Sequence, residues 1–301
     1  MANGDVPPEE SVAFAPGHLT GLFVPVKEGA DRRAWGSLGL GVVLGMGARS
    51  RVRRVKSASR SIDVKASGKG IGVGITYRAI ESLVKDVTWS GRLEVMIDHE
   101  LPVARGLGMS AAGTLSATLA VAKLLHLPVT DAIDTAHIAE VEGGGGLGGV
   151  PAILGGGLEV RRKAGVPPFG EVERTRCAEH LIIAGWPEAM DSRPLLTDPA
   201  FLTRVATAGG NLLKQAVPPP VRSGDLMTLS QRFTERLGLA SPPLVRGLEV
   251  CREFGVPAAQ AMLGNTLFAF SQDHKLVERL VQMGFEVFQT SVGDRGGTLP
   301  D

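Results

Sequence analysis

The residues best suited to chemistry lie in one eleven-residue run, Pro102-Val103-Ala104-Arg105-Gly106-Leu107-Gly108-Met109-Ser110-Ala111-Ala112. Its glycines allow the backbone to fold tightly around an anion. The helix that follows presents free N–H groups and the positive end of its dipole to the anion's oxygens. The chemistry this points to is phosphate binding, with the Ser110 hydroxyl available to a phosphate oxygen or to Mg²⁺. A plain glycine turn packed on a helix of small residues is the competing reading. The run also satisfies G-x-G-x-x-A through Gly106, Gly108 and Ala111. A dinucleotide fold, however, wants a strand running straight into the loop and an acid about 20 residues on. Pro102 interrupts the first, and the nearest acid is Asp131. No G-x-x-x-x-G-K-[ST] occurs, which excludes the P-loop class.

The elements that must position this loop follow from periodicity. Ser110 to His126 is small and leucine-rich without proline, and Leu115, Leu119, Val121 and Leu125 recur at helical intervals, predicting a buried helix. A second helix is predicted from a Thr130 cap through Asp131, Ile133, His137, Ile138 and Val141, stopped by the four glycines Gly143 to Gly146. Upstream, Ser11 to Ala15, Leu40 to Leu44, Ile62 to Val64 and Leu93 to Ile97 read as strands, with one helix at Tyr77 to Val84. Downstream, strands are predicted at Ala152 to Val160, His180 to Ala184, Ala261 to Phe270 and Phe285 to Thr290. Helices are predicted at Phe201 to Val217, Asp225 to Leu237, Leu244 to Phe254 and His274 to Met283. The chain is of the α+β class, and Pro167 and Pro168 mark a domain connection that divides it into residues 1–168 and 169–301.

Composition narrows the partner. With 301 residues, 44% hydrophobic and 21% charged, the chain is too apolar for disorder and long enough for about two domains. Lys plus Arg (32) nearly cancels Asp plus Glu (31), so no global field gathers nucleic acid or an anionic membrane. The basic run Arg51 to Lys56 has no nearby aromatics and reads as a solvated strand edge. Cys177 and Cys251 form no CxxC, which fits a reduced cytoplasmic compartment and argues against a metal-thiolate site. Met1 to Ser11 is polar, lacks a signal core, and reads as a frayed tail. The apolar stretch Gly36 to Ala48 falls short of the roughly 18 residues a membrane span needs. A small-molecule partner is the remaining expectation.

The Pro102–Ala112 run resembles the central motif of the GHMP kinases, P-x-x-x-G-L-G-S-S-A-A, with Met109 in place of the first serine. Ala15-Pro16-Gly17-His18-Leu19-Thr20-Gly21 resembles that family's first motif, and Ala261-Met262-Leu263-Gly264-Asn265-Thr266-Leu267-Phe268-Ala269 its third. Within the family, several stretches are most similar to the archaeal pantoate kinases: Gly36-Ser37-Leu38-Gly39, Ala136 to Val141, Gly155-Gly156-Gly157 leading to Arg161, Gly170-Glu171-Val172, and Asp294-Arg295-Gly296. The resemblance implies a two-domain fold, with an N-terminal ATP-binding domain like the second domain of ribosomal protein S5 and a ferredoxin-like C-terminal domain. It also implies ATP- and Mg²⁺-dependent phosphorylation of pantoate to 4-phosphopantoate, on the way to coenzyme A, and by analogy a homodimer.

Carried over residue by residue, the resemblance gives the ATP phosphates to Pro102, Arg105, Gly106, Leu107, Gly108, Met109, Ser110, Ala111 and Ala112, and Mg²⁺ to Ser110 and Glu140. Pantoate falls to Ser37, His137, Arg161, Ser192, Gly264 and Asn265, with Arg161 on its carboxylate and His137 also near the reacting hydroxyl. One position departs. The family's G-L-G-D-V, whose aspartate is taken as the catalytic carboxylate, reads Gly146-Leu147-Gly148-Gly149-Val150 here. His137 or Glu142 would then accept the proton, or the chain binds ATP and pantoate while turning over slowly. A GHMP kinase for another small hydroxy-acid or alcohol is the remaining alternative.

Overall fold

The computed structural model describes residues 9–67, 72–188, 193–214 and 220–298. Strands β1 (Glu9–Val26) and β2 (Gly36–Val55) form a long antiparallel hairpin. The half of β2 nearer its C-terminus pairs with β4 (Arg92–His99), and the half nearer its N-terminus with β5 (Leu158–Lys163). Strand β3 (Ser61–Ala66) lies parallel to β4, as the intervening helix α1 (Gly74–Leu83) allows, and β6 (Glu171–Thr175) closes the far edge. The resulting sheet has the order β3-β4-β2-β5-β6, with β1 on β2.

Helix α2 (Met109–Leu124) is buried along almost its whole circumference. Its Ala, Gly, Ser and Thr positions let it press between the sheet, α1 and α3 (Val129–Gly143), as an all-round apolar helix must. A one-turn helix α4 (Gly149–Ala152) leads to β5. The chain leaves the first sheet after Thr175 and enters a second, antiparallel sheet of order β10-β7-β9-β8, made of β7 (His180–Gly185), β8 (Ala258–Gln260), β9 (Thr266–Phe270) and β10 (Glu286–Ser291). The continuous apolar run of β7 is buried on both faces. Leu181 and Ile183 join the main core, while Ile182 and Ala184 join a smaller one with Leu244, Leu276 and Phe285.

Helices α5 (Arg193–Thr197), α6 (Pro199–Leu213), α7 (Ser223–Leu237), α8 (Pro242–Glu253) and α9 (His274–Gln282) complete the C-terminal half. Helices α6 and α7 pack on β1, where Phe23 and Phe233 meet edge to face at 6.0 Å. The segment from Val292 to Thr298 returns to the first sheet through bridges Leu44 to Val292 and Phe14 to Thr298. No described helix is long and apolar enough to cross a membrane.

Most predicted elements are present, and the differences have local causes. Glu9 and Glu10 are strand residues, not tail, because they pair with Arg54 and Arg53 and form ion pairs with Arg51, Arg53 and Arg54. The Arg51–Lys56 run is therefore no sheet edge through Val55; β2 is flanked on both sides, with Arg51 and Arg53 exposed and Val52 buried. The strand expected from Ala152 begins only at Leu158. Gly157 sits at φ +88°, which stops extended pairing before it. Likewise β9 starts at Thr266 and leaves 261–265 as a loop, while Glu171 and Val172, read as a turn, belong to β6. Helix α3 starts at Val129 behind Pro128, with Thr130 inside its first turn.

The fully buried Leu115 is central to the support of α2. Leu115→Ala is expected to lower unfolding free energy by about 2–5 kcal/mol, the usual cost of such a cavity, as measured by urea denaturation.

Candidate functional site

A cavity of about 600 Å³ opens between the Val103–Ala111 loop, the glycine segment Gly143–Gly149, the N-terminal end of α1, His18 and Thr20 of β1, Ser37 of β2, and Met262 and Leu263. Gly106 and Gly108 have φ of +78° and +67°, the left-handed region that favours glycine. Gly108 is the N-cap of α2, and the first intrahelical bond runs from the Ala112 N–H to the Gly108 carbonyl at 3.0 Å. The N–H groups of Met109, Ser110 and Ala111 therefore stand outside the ladder, at the cavity wall. Met109 is buried, its sulfur close under Gly17, so the family's missing serine is replaced here by core packing.

Ser110 donates to Glu140 Oε1 at 2.7 Å, and Thr114 donates to the same oxygen at 3.1 Å. The second oxygen, Oε2, is buried without a partner. Burial pushes the Glu140 carboxyl up to about 7, against the pull of the two hydroxyls and of Arg78. An orphaned carboxylate oxygen beside a serine hydroxyl fits a hard divalent cation. Among the described residues no group of three or more His, Cys, Asp or Glu could hold a metal unaided. Such an ion would share its shell with other oxygens, as one bound with a nucleotide does.

Behind the wall formed by Ser37 and Gly148 lies a buried charged group. Glu159 Oε1 accepts from His18 Nε2 at 2.9 Å and from Arg161 Nη1. Arg161 is 2% exposed, and its Nε and Nη2 have no partner. A Cβ on Gly148 would collide with Ser37 Oγ and lie 2.8 Å from Arg161 Nε, so only glycine fits between the cavity and the guanidinium here. Burial alone would raise the Glu159 carboxyl; Arg161 and His18 outweigh it and hold it below the ordinary range.

Of the residues expected to bind phosphate, Gly106, Leu107, Gly108, Met109, Ser110 and Ala111 line the cavity. Pro102, Arg105 and Ala112 do not. Arg105 turns away to Glu286 at 2.6 Å, and Ala112 packs in the core. His137 is not brought to the cavity. It is 1% exposed, its Nε2 lies 2.8 Å from the Trp35 carbonyl, and burial lowers its pKa to about 4, so it ties α3 to the segment before Ser37. Glu142 faces Arg32 at 3.2 Å. Asn265 accepts from Ser241, and Gly264 packs on the Arg105 carbonyl, leaving the cavity surface of that loop to Met262 and Leu263. Ser192 lies outside the described residues. Gly149 does line the cavity, with Ala111 so close that an added Cβ would lie 2.7 Å from its methyl.

Sequence reasoning singled out neither His18, Thr20, Arg78 nor Glu159 as site residues. A signal existed for Glu159: it stands two residues before Arg161 on one strand, so the two charges share a face.

Residues 74–157 match the family model of the GHMP kinases N terminal domain. The fold is shared with homoserine kinase from Cytophaga hutchinsonii (TM-score 0.67, 16% identity, all of both chains) and with L. major mevalonate kinase in complex with R-mevalonate (TM-score 0.65, 14% identity, 98% of this chain and 99% of the other). Fold and loop together define a small-molecule kinase of the GHMP type. A solved structure described as a phosphotransferase related to the CoA biosynthesis pathway superposes with TM-score 0.84 at 28% identity, over 97% of this chain and 98% of the other. The pantoate kinase of Thermococcus kodakarensis is 32% identical over 87% of this chain and 88% of its own, and that of Methanospirillum hungatei 29% identical over 95% of each. The chain belongs to the pantoate kinase family.

The raised Glu140 carboxyl has a measurable consequence. Its folded pKa of about 7 exceeds the unfolded 4.5, so between these values the native state binds more protons and loses stability as pH rises. The charge costs roughly 3 kcal/mol at pH 8. Glu140→Gln is expected to remove that pH slope and to make the ligand-free protein more stable than wild type at pH 8. Urea titrations at pH 4.5 and pH 8 check it.

Proposed function

We propose that this protein is a pantoate kinase, transferring the γ-phosphoryl group of ATP to the primary hydroxyl of pantoate to give 4-phosphopantoate. The observation that carries the reading is the buried guanidinium of Arg161, whose Nε and Nη2 lack partners: Nε lies directly behind Gly148, which with Ser37 lines the same cavity as the phosphate loop, and Nη2 lies against Gly39. A buried arginine edge without an acceptor is matched by a planar carboxylate, which it can grip through two parallel bonds. A substrate with a carboxylate at one end and a hydroxyl at the other would span the cavity.

In the Mechanism this implies, the N–H groups of Met109, Ser110 and Ala111 and the glycine loop hold the nucleotide's phosphates. Ser110 and Glu140 would hold Mg²⁺, which would neutralise phosphate charge when bound. Ser37 and Arg161 fix the pantoate carboxylate, aligning the hydroxyl with the phosphoryl group. Phosphoryl transfer has a loose transition state, so positioning and electrostatics supply most of the acceleration.

A second reading, a binding protein with weak turnover, is favoured by Gly149 alone, which offers no carboxylate. The test is ATP- and Mg²⁺-dependent phosphorylation of pantoate, with mevalonate and homoserine as alternative acceptors. Turnover on pantoate supports the first reading; binding of ATP and pantoate without turnover supports the second; preference for another acceptor moves the substrate. Gly148→Ala is expected to raise the KM for pantoate about tenfold or more, as loss of a charge-assisted contact does, with the KM for ATP little changed. Gly149→Asp is expected not to improve kcat, because its Cβ meets Ala111.

A further inference from the structure

The hydroxyl proton needs an acceptor, and the cavity offers few. Among the described residues that line it, the titratable side chains are His18, Arg78 and Glu140. The Arg78 guanidinium carries donors only and no acceptor. Glu140 Oε1 is engaged by Ser110 and Thr114, and its other oxygen suits a cation. His18 remains, and its position is built. Register shifts between Pro16 and His18 and between Thr20 and Leu22 bracket it, the kind of irregularity that re-aims a side chain. Its backbone N–H donates to the Leu107 carbonyl at 3.0 Å, on the phosphate loop. Its Nε2 bonds Glu159, the carboxylate that also holds Arg161. His18 therefore sits between the phosphate end and the proposed carboxylate end of the cavity.

The ring's orientation follows from its partners. An ionised carboxylate only accepts, so Nε2 carries the proton and Nδ1 of the neutral ring is an acceptor, 3.3 Å from Thr20 Oγ1. Thr20 also lines the cavity. We infer that His18, oriented by Glu159 and reached through the Thr20 hydroxyl, accepts the substrate's hydroxyl proton in this chain, where position 149 has no carboxylate. The inference rests on the kinase reading above. In the step, the substrate O–H bond breaks and its oxygen forms a bond to the γ-phosphorus of ATP. The bond from that phosphorus to the β–γ bridging oxygen breaks, its electron pair leaving on ADP. Thr20 takes the substrate proton while passing its own to Nδ1, and the imidazolium formed faces Glu159 and later loses its proton to solvent.

The groups that act on His18 are Glu159 and Arg161 of β5 and Arg174 of β6. Burial lowers its pKa, Glu159 raises it, and the two arginines lower it, with a net fall. The ring is thus neutral at neutral pH and able to accept.

The test is kcat and KM for pantoate against pH, at saturating ATP and Mg²⁺, for wild type and His18→Gln, with circular dichroism confirming the fold. Expected is a fall in kcat of about a hundredfold, the usual loss with a general base, both KM values within about threefold, and loss of the acid limb of the wild-type kcat profile. An unchanged kcat, or an acid limb that survives in His18→Gln and so belongs to another group such as Glu140, overturns the assignment. Should His18→Gln fail to fold, Thr20→Val, isosteric and half-buried, takes its place. A kcat lowered about tenfold with unchanged KM supports the relay, and an unchanged kcat overturns it. A wild-type protein with no turnover on pantoate, mevalonate or homoserine overturns the kinase reading and this assignment with it, whereas an active wild type with an equally active His18→Gln overturns this assignment alone.

Discussion

The first turn of α2 is buried in the protein and borders the cavity at once, and much of the architecture answers to that constraint. Burial leaves no room for side chains on the surrounding loops. A Cβ on Gly106 would meet the Ala261 carbonyl and Gly264, one on Gly108 would meet His18, and one on Gly17 would meet the Leu107 carbonyl and Met109. Three segments nearly 250 residues apart in sequence, from Gly17 to Gly264, are thereby packed backbone to backbone around one helix end. Van der Waals contact at that distance needs glycine, and the free N–H groups of the turn keep their direction because nothing around them can shift.

The charged residues behind the cavity obey a different rule. A buried carboxylate, guanidinium and imidazole are costly to desolvate, and replacing them by apolar groups would often stabilise a fold. Their cost is offset only in part, since Arg161 keeps two nitrogens and Glu159 one oxygen without partners. Unsatisfied groups of this kind, directly behind a glycine that lines the cavity, are suited to an incoming ligand whose own charges complete the bonding. Glu140 shows the same incompleteness at the other end, where one oxygen is held by two hydroxyls and the other by none. The cavity of about 600 Å³ thus has one half-finished electrostatic set on its lining, at Glu140, and a second directly behind Gly148, at Arg161 and Glu159.

Gly149 fits this picture sterically before it does so chemically. Its closeness to Ala111 lets α4 start directly against α2, which holds the glycine segment over the cavity. A Cβ at this position would lie 2.7 Å from the Ala111 methyl, so a side chain here requires α4 or α2 to shift.

What the sequence by itself determined was local. The glycine loop, α2 and the glycine stop of α3 were legible because they depend on backbone conformations and periodicities that short segments carry. Arg161 was legible through the family resemblance; its partner Glu159 was missed, although strand alternation puts it on the same face. The tertiary structure decided which side chains face the cavity. His137 stands one turn before Glu140, yet it faces the Trp35 carbonyl instead. His18 became a candidate only because Glu159, 141 residues away, holds its ring. Such pairings are fixed by how sheet and helices pack, and no local periodicity encodes a partner across the fold. The strand expected from Ala152 failed because α4 ends only at Ala152 and the chain then turns, with Gly157 at positive φ, before β5 starts at Leu158.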